Sequence, residues 1–163
     1  MIKLHTNFGV IGIELDHEKA PLSAANFEQY VRDGHYDGLI FHRVIKGFMI
    51  QGGGFDADMH EQPTRDPIQN EAQNGLKNDK YTLAMARTPD PHSASAQFFI
   101  NTKDNSFLNH TAPTREQWGY AVFGKVIQGQ DVVDKIEQSA TGRRGYHDDV
   151  PLEPVVITKA EIV

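Results

Sequence analysis

The sequence contains no cysteine, and this absence removes several classes of chemistry at once. Without thiols the chain can form no disulfide bond and no thiolate nucleophile, and it can bind neither Cys-ligated zinc nor an iron–sulfur cluster. A chain of 163 residues does not need such cross-links, because folding at this length hides roughly 70% of the surface that the unfolded chain exposes. We therefore expect one ordinary domain, residues 1–163, with a hydrophobic core.

Long hydrophobic runs are also absent. The longest ones, which include Leu83–Ala86 and Tyr120–Phe123, reach only a handful of residues. No such segment can span a bilayer or serve as the apolar part of a secretory signal. We expect a cytoplasmic protein without a membrane partner.

Positive charge is scarce. The 16 Lys and Arg residues are outnumbered by 22 Asp and Glu residues, which gives a net charge of -6. The basic pair Arg143-Arg144 is too small to overturn the repulsion of a phosphate backbone by this surface, so we expect no nucleic-acid partner. The charge balance does not by itself select a substrate, and the sequence assigns no role to the Arg143-Arg144 patch.

The amino-terminal region shows the alternation of a β-hairpin. Residues 2–6 alternate between two faces, and Ile11, Ile13 and Leu15 repeat the alternation after a turn at Asn7–Gly9. A helix should follow, because Pro21 suits a first helical turn and apolar residues recur at helical spacing from Ala20 until Gly34.

The rest of the chain is dominated by short runs of aromatic and branched residues, which favour strands. A second short helix is predicted after Gly129, and many strands with two small helices indicate a closed β-barrel or a sandwich. The predicted strands are 39–44, 48–51, 81–86, 97–101, 120–127 and 155–162.

Two polar segments, Gly52–Asp79 and Thr102–Gly119, are longer than most connections in compact domains. Scattered apolar residues such as Phe55 and Leu108 predict that both are ordered loops packed on the scaffold. Within the second loop, two roles of Trp118 stay open as alternatives: it packs the loop on the scaffold, or it contacts ligand.

Several kinds of site find little support. The eight histidines lack the local spacing of a metal chelate, so we expect no metal site. The serines lack a Gly-x-Ser-x-Gly context, and Gly52–Gly54 is not followed by the Lys-Ser/Thr of a phosphate loop. We expect no cofactor, and the chain is expected to be monomeric by default.

One segment, Phe41–Gly53, places Arg43 and Gln51 among large apolar side chains in predicted strands. Strand alternation predicts Phe41, Arg43 and Ile45 on one face. From this segment alone, a surface arginine with its stem over apolar neighbours is an equally good interpretation. A second stretch, residues 96–101, also mixes amides with aromatics.

These segments together resemble the cyclophilins. The matching motifs are Phe41-His42-Arg43 through Gly52-Gly53, Ala84-Met85-Ala86, Ser95 through Ile100, and Val122 through Val133. They cover nearly the whole chain in order, and Trp118-Gly119-Tyr120 is similar to the cytosolic bacterial members. The resemblance implies an eight-stranded antiparallel β-barrel, closed and capped by two short α-helices, with peptidyl-prolyl cis/trans isomerase activity.

The resemblance also implies roles for individual residues. Arg43 would be the catalytic residue, and Gln51 would hydrogen-bond the substrate carbonyl or orient Arg43. The substrate would be a proline-containing peptide or an unfolded polypeptide. The residues expected to bind it are the pocket residues Phe48, Met49, Phe99 and Leu108, the groove residues Ala86, Arg87, Gln97 and Tyr120, and Phe107.

The sequence departs from the family pattern at Phe107, where many cyclophilins carry a Trp that donates a hydrogen bond to cyclosporin. Phenylalanine has no such donor, so we expect weak cyclosporin binding with turnover retained. Tyr120 and Arg87 stand where the family commonly has His and Asn, which predicts an altered peptide preference.

Two other function classes remain open. A module that binds proline-containing segments without turnover would have the same pocket, but it would not need the charged guanidinium of Arg43. A small barrel that carries an apolar ligand is disfavoured, because Arg43, Gln51 and Gln97 recur beside the aromatics.

Overall fold

Eight strands form a single antiparallel sheet in the order β10-β1-β2-β7-β5-β6-β4-β3 in the computed structural model, which describes residues 1–163. The other two strands, β8 and β9, pair only with each other. The strands are β1 (Ile2–Thr6), β2 (Gly9–Leu15), β3 (Arg43–Ile45), β4 (Met49–Gly52), β5 (Thr82–Met85), β6 (Phe98–Asn101), β7 (Val122–Gln128), β8 (Thr141–Arg144), β9 (His147–Pro151) and β10 (Ile157–Ile162).

The two edge strands of the sheet, β3 and β10, share no ladder. The segments that lead into them are nevertheless joined, since Ile40 forms an antiparallel bridge with Val156. The Phe41 amide donates to the Val155 carbonyl (3.0 Å), and the Ile157 amide donates to the Leu39 carbonyl (2.8 Å). The sheet therefore curls far enough to bring its two ends into contact, through a short bridge rather than the continuous ladder that a closed barrel predicts.

Both predicted helices are present, α1 at Pro21–Arg32 and α2 at Gln130–Glu137. Pro21 stands in the first turn of α1, where its missing N–H costs nothing. Each helix buries one apolar face in the same core cluster, with Phe27 of α1 and Val133 of α2 fully buried. Neither helix has the length and the apolar character needed to cross a bilayer.

The sheet is buried on both faces in the region of β4, β5 and β6. In β6, Phe98 and Ile100 belong to the main core, which includes the helices, whereas Phe99 between them belongs to a second cluster of six residues on the opposite face. We call this second group the outer cluster. Its members are Met49, Ala84, Ala86, Phe99, Leu108 and Val122.

Strand β3 is shorter than predicted and begins at Arg43 rather than Leu39. Phe41 is fully buried in the main core, so the prediction that it shares a face with Arg43 and Ile45 is wrong. The reason is that residue 41 precedes the β3–β4 ladder and bonds instead to the segment before β10, so strict alternation does not extend back to it.

The hairpin β8–β9 was not expected, because it has few apolar residues and no regular alternation. It lies against β3, and the ring of His147 contacts those of Phe55 and His42. The two long loops contain short 3₁₀ turns at Ala72–Asn74 and Ser106–Leu108, and their apolar residues Phe55 and Leu108 are buried against the rest of the fold.

Candidate active site

A pocket of about 130 Å³ opens on the face of the sheet that carries the outer cluster. Its walls combine an apolar floor with two arginines and one amide. Its lining residues are Arg43, Phe48, Met49, Gln51, Ala86, Arg87, Phe99, Leu108 and Tyr120, each of which the sequence had singled out.

The strand register places the polar and apolar parts of this pocket side by side. Arg43 stands opposite Gln51 in the β3–β4 ladder, and Gln51 stands opposite Phe99 in the β4–β6 ladder. Directly opposite residues in antiparallel strands share a face and have Cβ atoms about 5 Å apart. Because Val44 turns into the main core, Arg43 is left on the outer face.

The Arg43 guanidinium is exposed and has no carboxylate within 4 Å. Its single hydrogen bond to another side chain runs from Nη1 to Oε1 of Gln51 and is long, at 3.4 Å. Gln51 in turn donates from Nε2 to Oε1 of Gln97 at 2.9 Å. A guanidinium has five N–H donors, so most of those on Arg43 are free to meet a ligand.

The floor of the pocket is apolar and buried. Met49 is 2% exposed, Phe99 4% and Leu108 8%. The ring of Tyr120 meets that of Phe99 edge to face, with 5.6 Å between centroids, and Phe48 covers another side. Such a surface can bind a small apolar ring and exclude water around it.

The side chain of Arg87 is fixed in place, which the sequence did not predict. Its Nε and Nη2 atoms donate to the Gly119 carbonyl at 3.2 and 3.1 Å, and Nη1 donates to the Thr88 carbonyl at 2.9 Å. The guanidinium also lies 4.4 Å from the centroid of the Tyr120 ring, in cation–π geometry. Sequence reasoning missed this contact because Gly119 is 32 residues away along the chain.

Two of the residues expected to bind substrate lie outside the pocket. Gln97 lines a neighbouring depression of about 260 Å³, which also contains Glu61 and Ser93. Phe107 is 72% exposed and lines a larger groove of about 490 Å³ on the side of Arg87 and Tyr120. Phe107 still touches the pocket indirectly, because its ring stacks on that of Phe48 at 5.7 Å.

Trp118 packs against His110 of its own loop and against His92 of a neighbouring segment. Its ring lies 5.1 Å from that of His92 and 4.9 Å from that of His110, and its carbonyl oxygen lies 2.9 Å from Nδ1 of His110. It lines neither the pocket at Arg43 nor the groove at Phe107. This position agrees with the packing alternative.

His42, next to Arg43 in the sequence, lies on the buried side of the chain. Burial, together with the nearby His147 and Arg43, lowers its pKa from 6.5 to about 4. Its Nδ1 has no hydrogen-bond partner, and the ring packs on that of Phe55 at 4.7 Å. His42 is therefore neutral at pH 7 and adds no charge beside Arg43.

Other features of the surface fit catalysis or cofactor binding less well. The three side chains that could meet at a metal ion, Asp56, Asp58 and His60, form a polar turn in which Asp56 Oδ1 accepts the amides of the other two. Another pocket, of about 500 Å³, has few apolar residues in its lining and several charged residues of both signs, among them Glu14 and Lys125. Neither feature contains an apolar slot beside a free cation.

Comparison with known proteins decides the family. The family model described as cyclophilin-type peptidyl-prolyl cis-trans isomerase/CLD matches residues 1–162. The chain belongs to the cyclophilin family. Its activity is that of a peptidyl-prolyl cis/trans isomerase.

Similar proteins confirm the resemblance to bacterial cyclophilins. This cyclophilin is 62% identical to peptidyl-prolyl cis-trans isomerase cyp18 of Streptomyces antibioticus, over 99% of this chain and 98% of that protein. It is 56% identical to peptidyl-prolyl cis-trans isomerase B of Escherichia coli strain K12, over 99% of both chains. A crystal structure of a Cryptosporidium parvum cyclophilin, determined in the presence of the dipeptide Ala-Pro, matches with a TM-score of 0.81, 27% identity and coverage of 99% and 98% of the two chains.

Proposed function

We propose that Arg43 is the catalytic residue of this isomerase, and that the pocket beside it holds the proline ring of an Xaa-Pro segment in a flexible or unfolded polypeptide. The observation that carries the proposal is a free guanidinium at the edge of an apolar pocket of about 130 Å³. The Ala-Pro dipeptide present with the Cryptosporidium parvum cyclophilin supports a proline-containing substrate.

The chemistry of the prolyl bond explains why such a cation is useful. Rotation about this bond has a barrier of ~18–20 kcal/mol, because resonance ties the nitrogen lone pair to the carbonyl. In the planar ground state the nitrogen is a poor hydrogen-bond acceptor, whereas twisting localises the lone pair and makes it a good one. A donor aimed at this nitrogen binds the transition state more tightly than the substrate, and only such differential binding accelerates the step.

Arg43 does not act alone in this proposal. An acceleration on the order of a millionfold requires that about 8 kcal/mol of barrier be removed, more than one hydrogen-bond donor supplies. The apolar floor would hold the pyrrolidine ring while the preceding carbonyl rotates. Gln51 would orient Arg43 or bind that carbonyl, Gln97 would line the groove for the rest of the peptide, and the backbone at Arg87 would hold the residue before proline.

We also propose that residues 1–163 form one closed barrel domain that acts as a monomer. The backbone bonds around Ile40 and Val156 support closure, because they join the two ends of the sheet. One domain predicts a single unfolding transition, with coincident midpoints by circular dichroism and by Trp118 fluorescence. Two separated midpoints would contradict it. The cytoplasmic location stays a prediction.

NMR exchange spectroscopy on a short Xaa-Pro peptide tests the catalytic role. Catalytic amounts of the wild-type protein should produce exchange between the cis and trans signals, which uncatalysed isomerisation is too slow to produce. The Arg43→Ala variant should lower the catalysed exchange rate by about a hundredfold, which is the typical effect of removing one hydrogen-bond donor to the transition state. An unchanged exchange rate in that variant would rule out Arg43 as the catalytic residue.

The same experiment distinguishes an isomerase from a module that only binds proline-containing segments. Ground-state binding needs the apolar pocket but gains little from an exposed, unpaired arginine, whose charge would remain solvated. Binding of the peptide without any exchange by the wild-type protein would favour this alternative.

A further inference from the structure

Three buried asparagines lie directly behind the pocket. Asn78 is 1% exposed, Asn101 0% and Asn105 2%. They come from separate segments, since Asn78 precedes β5, Asn101 is the last residue of β6 and Asn105 precedes the 3₁₀ turn Ser106–Leu108. With Asn109, which is half-buried, they form what we call the amide network.

The side chains of the amide network bond to one another in a continuous chain. Asn105 Nδ2 donates to Asn101 Oδ1 at 2.8 Å, Asn101 Nδ2 donates to Asn78 Oδ1 at 3.1 Å, and Asn78 Nδ2 donates to Asn109 Oδ1 at 3.1 Å. The side chains of Asn78 and Asn101 therefore both donate and accept, whereas that of Asn105 donates. Buried amides bonded in this way can hold only one arrangement without leaving a polar atom unpaired.

The amide network ends on the backbone of the pocket. Asn105 Nδ2 also donates to the Phe48 carbonyl at 2.8 Å. Asn78 Nδ2 points to the carbonyls of Leu108 and Tyr120 at 3.3 and 3.2 Å. Phe48, Leu108 and Tyr120 stand in three different segments, and all three line the pocket beside Arg43.

A purely stabilising role would not require this pattern of partners. Buried amides stabilise a fold wherever they find partners, and apolar residues of similar volume would serve about as well. Here the partners of the network are the carbonyls of three pocket residues that no single strand holds in register. Displacements of about 1 Å in substrate-positioning groups can change rates a hundredfold.

We propose that Asn78, Asn101 and Asn105 are positioning residues of the isomerase, which set the spacing of Phe48, Leu108 and Tyr120 around the proline ring. This inference rests on the proposed function of the pocket. Asn101 is fully buried and does not line the pocket, so its effect on the reaction would pass through Asn78 and Asn105.

A double-mutant cycle between Asn105→Ala and Phe48→Ala tests the inference, with kcat/KM for an Xaa-Pro peptide as the readout. Asn105→Ala alone should lower kcat/KM by about tenfold, because the Phe48 wall is no longer fixed. In the Phe48→Ala background the same change should cost less than about twofold. Multiplicative effects, or an Asn105→Ala variant with wild-type kcat/KM, would overturn the proposal.

Asn7→Ala is the matched control for loss of stability. Asn7 also bridges two segments with its amide, since Nδ2 donates to the Pro154 carbonyl and Oδ1 accepts the Val156 amide, but it does not line the pocket and bonds none of its lining residues. This variant should lower the unfolding temperature without changing kcat/KM. A drop in kcat/KM as large as that of Asn105→Ala would mean that general destabilisation accounts for both.

A titration of the wild-type protein keeps the inference testable if Asn105→Ala does not fold. On addition of Ala-Pro dipeptide, the side-chain amide signals of Asn78 and Asn105 should shift along the same saturation curve as the backbone amide of Phe48. Unmoved side-chain signals would overturn the proposal. Retained activity in Arg43→Ala would instead refute the proposed function, and the two failures are thus distinguishable.

Discussion

Arg43 and Gln51 face each other across the β3–β4 ladder, and Nη1 of the arginine lies 3.4 Å from Oε1 of the glutamine. The Gln51 amide is oriented from its other side, because its Nε2 donates to Oε1 of Gln97. Gln51 thus presents an oxygen to the guanidinium without neutralising it. A carboxylate at this position would form an ion pair and make the cation less available to the substrate.

Replacing Gln51 should therefore weaken catalysis without removing it. We expect Gln51→Leu to lower kcat/KM by about tenfold, since Arg43 keeps its charge but loses the neighbour that orients it. Steady-state kinetics on an Xaa-Pro peptide measure this effect. Gln29→Leu removes a half-buried glutamine of α1 that lies outside the pocket and whose side chain bonds only Asp33, and it should match the wild type. A Gln51→Leu variant as active as Gln29→Leu would show that Gln51 does not orient Arg43.

Cyclosporin binding should respond to a change at Phe107. This side chain is 72% exposed, so a larger indole can be accommodated without a clash. We expect Phe107→Trp to tighten cyclosporin binding by about tenfold, the value of one added hydrogen bond, and to change turnover little. Calorimetric titration of both proteins checks this. Nanomolar affinity of the wild-type protein would contradict the expectation.

Glu71 connects the first long loop to the start of α1. Its carboxylate accepts the Leu22 amide at 3.2 Å, and the amide and hydroxyl of Ser23 at 2.7 and 2.8 Å. Since Ser23 is fully buried, Glu71→Ala leaves its polar groups without partners and should lower the free energy of unfolding by about 2 kcal/mol.

The charge of Glu71 should contribute only part of this effect. Glu71→Gln keeps an acceptor and loses the interaction of the charge with the helix dipole, which predicts a loss of about 0.5 kcal/mol. Urea unfolding of both variants gives the two values. Equal losses would mean that the charge, rather than the acceptor atoms, holds the helix end.

The buried His42 should make the protein less stable in acid. Its pKa is about 4 in the folded chain and near 6.5 when exposed, so the unfolded chain takes up a proton first as the pH falls. The contribution of His42 to the free energy of unfolding is complete above pH 6.5 and decreases towards pH 4, by about 3 kcal/mol in total.

The His42→Leu variant isolates this contribution. It removes the titrating group, so its unfolding free energy should fall less steeply than that of the wild type between pH 6.5 and 4. Urea unfolding at several pH values measures both curves. Parallel curves would show that His42 titrates alike in the folded and unfolded chains.

The sequence predicted the parts of the fold whose signals are local. The alternation in residues 2–15 and the Pro21 start of α1 each depend on neighbouring residues, and both were confirmed. The hairpin β8–β9 was missed because Thr141–Arg144 and His147–Pro151 are largely polar strands, held by pairing with each other and by contact with β3.

The pocket was predictable only as a set of residues. The family motifs identified every residue that lines the pocket. They could not show that the 3₁₀ turn at Ser106–Leu108 buries Leu108 while leaving Phe107 exposed. Two contacts join residues that are far apart in the chain. Arg87 bonds the Gly119 carbonyl, and the Asn105 backbone amide donates to the Asn78 carbonyl. No local pattern encodes them, because a buried asparagine and a loop asparagine look the same in sequence.

The central claim is that Arg43 binds the twisted prolyl bond more tightly than the planar one. The most direct measurement compares, for wild-type protein and Arg43→Ala, the Kd of one Xaa-Pro peptide with its rate of cis/trans exchange when bound, both by NMR. We expect Kd to change by less than about threefold and the bound exchange rate to fall by about a hundredfold. Weaker binding in Arg43→Ala with an unchanged bound exchange rate would contradict the account.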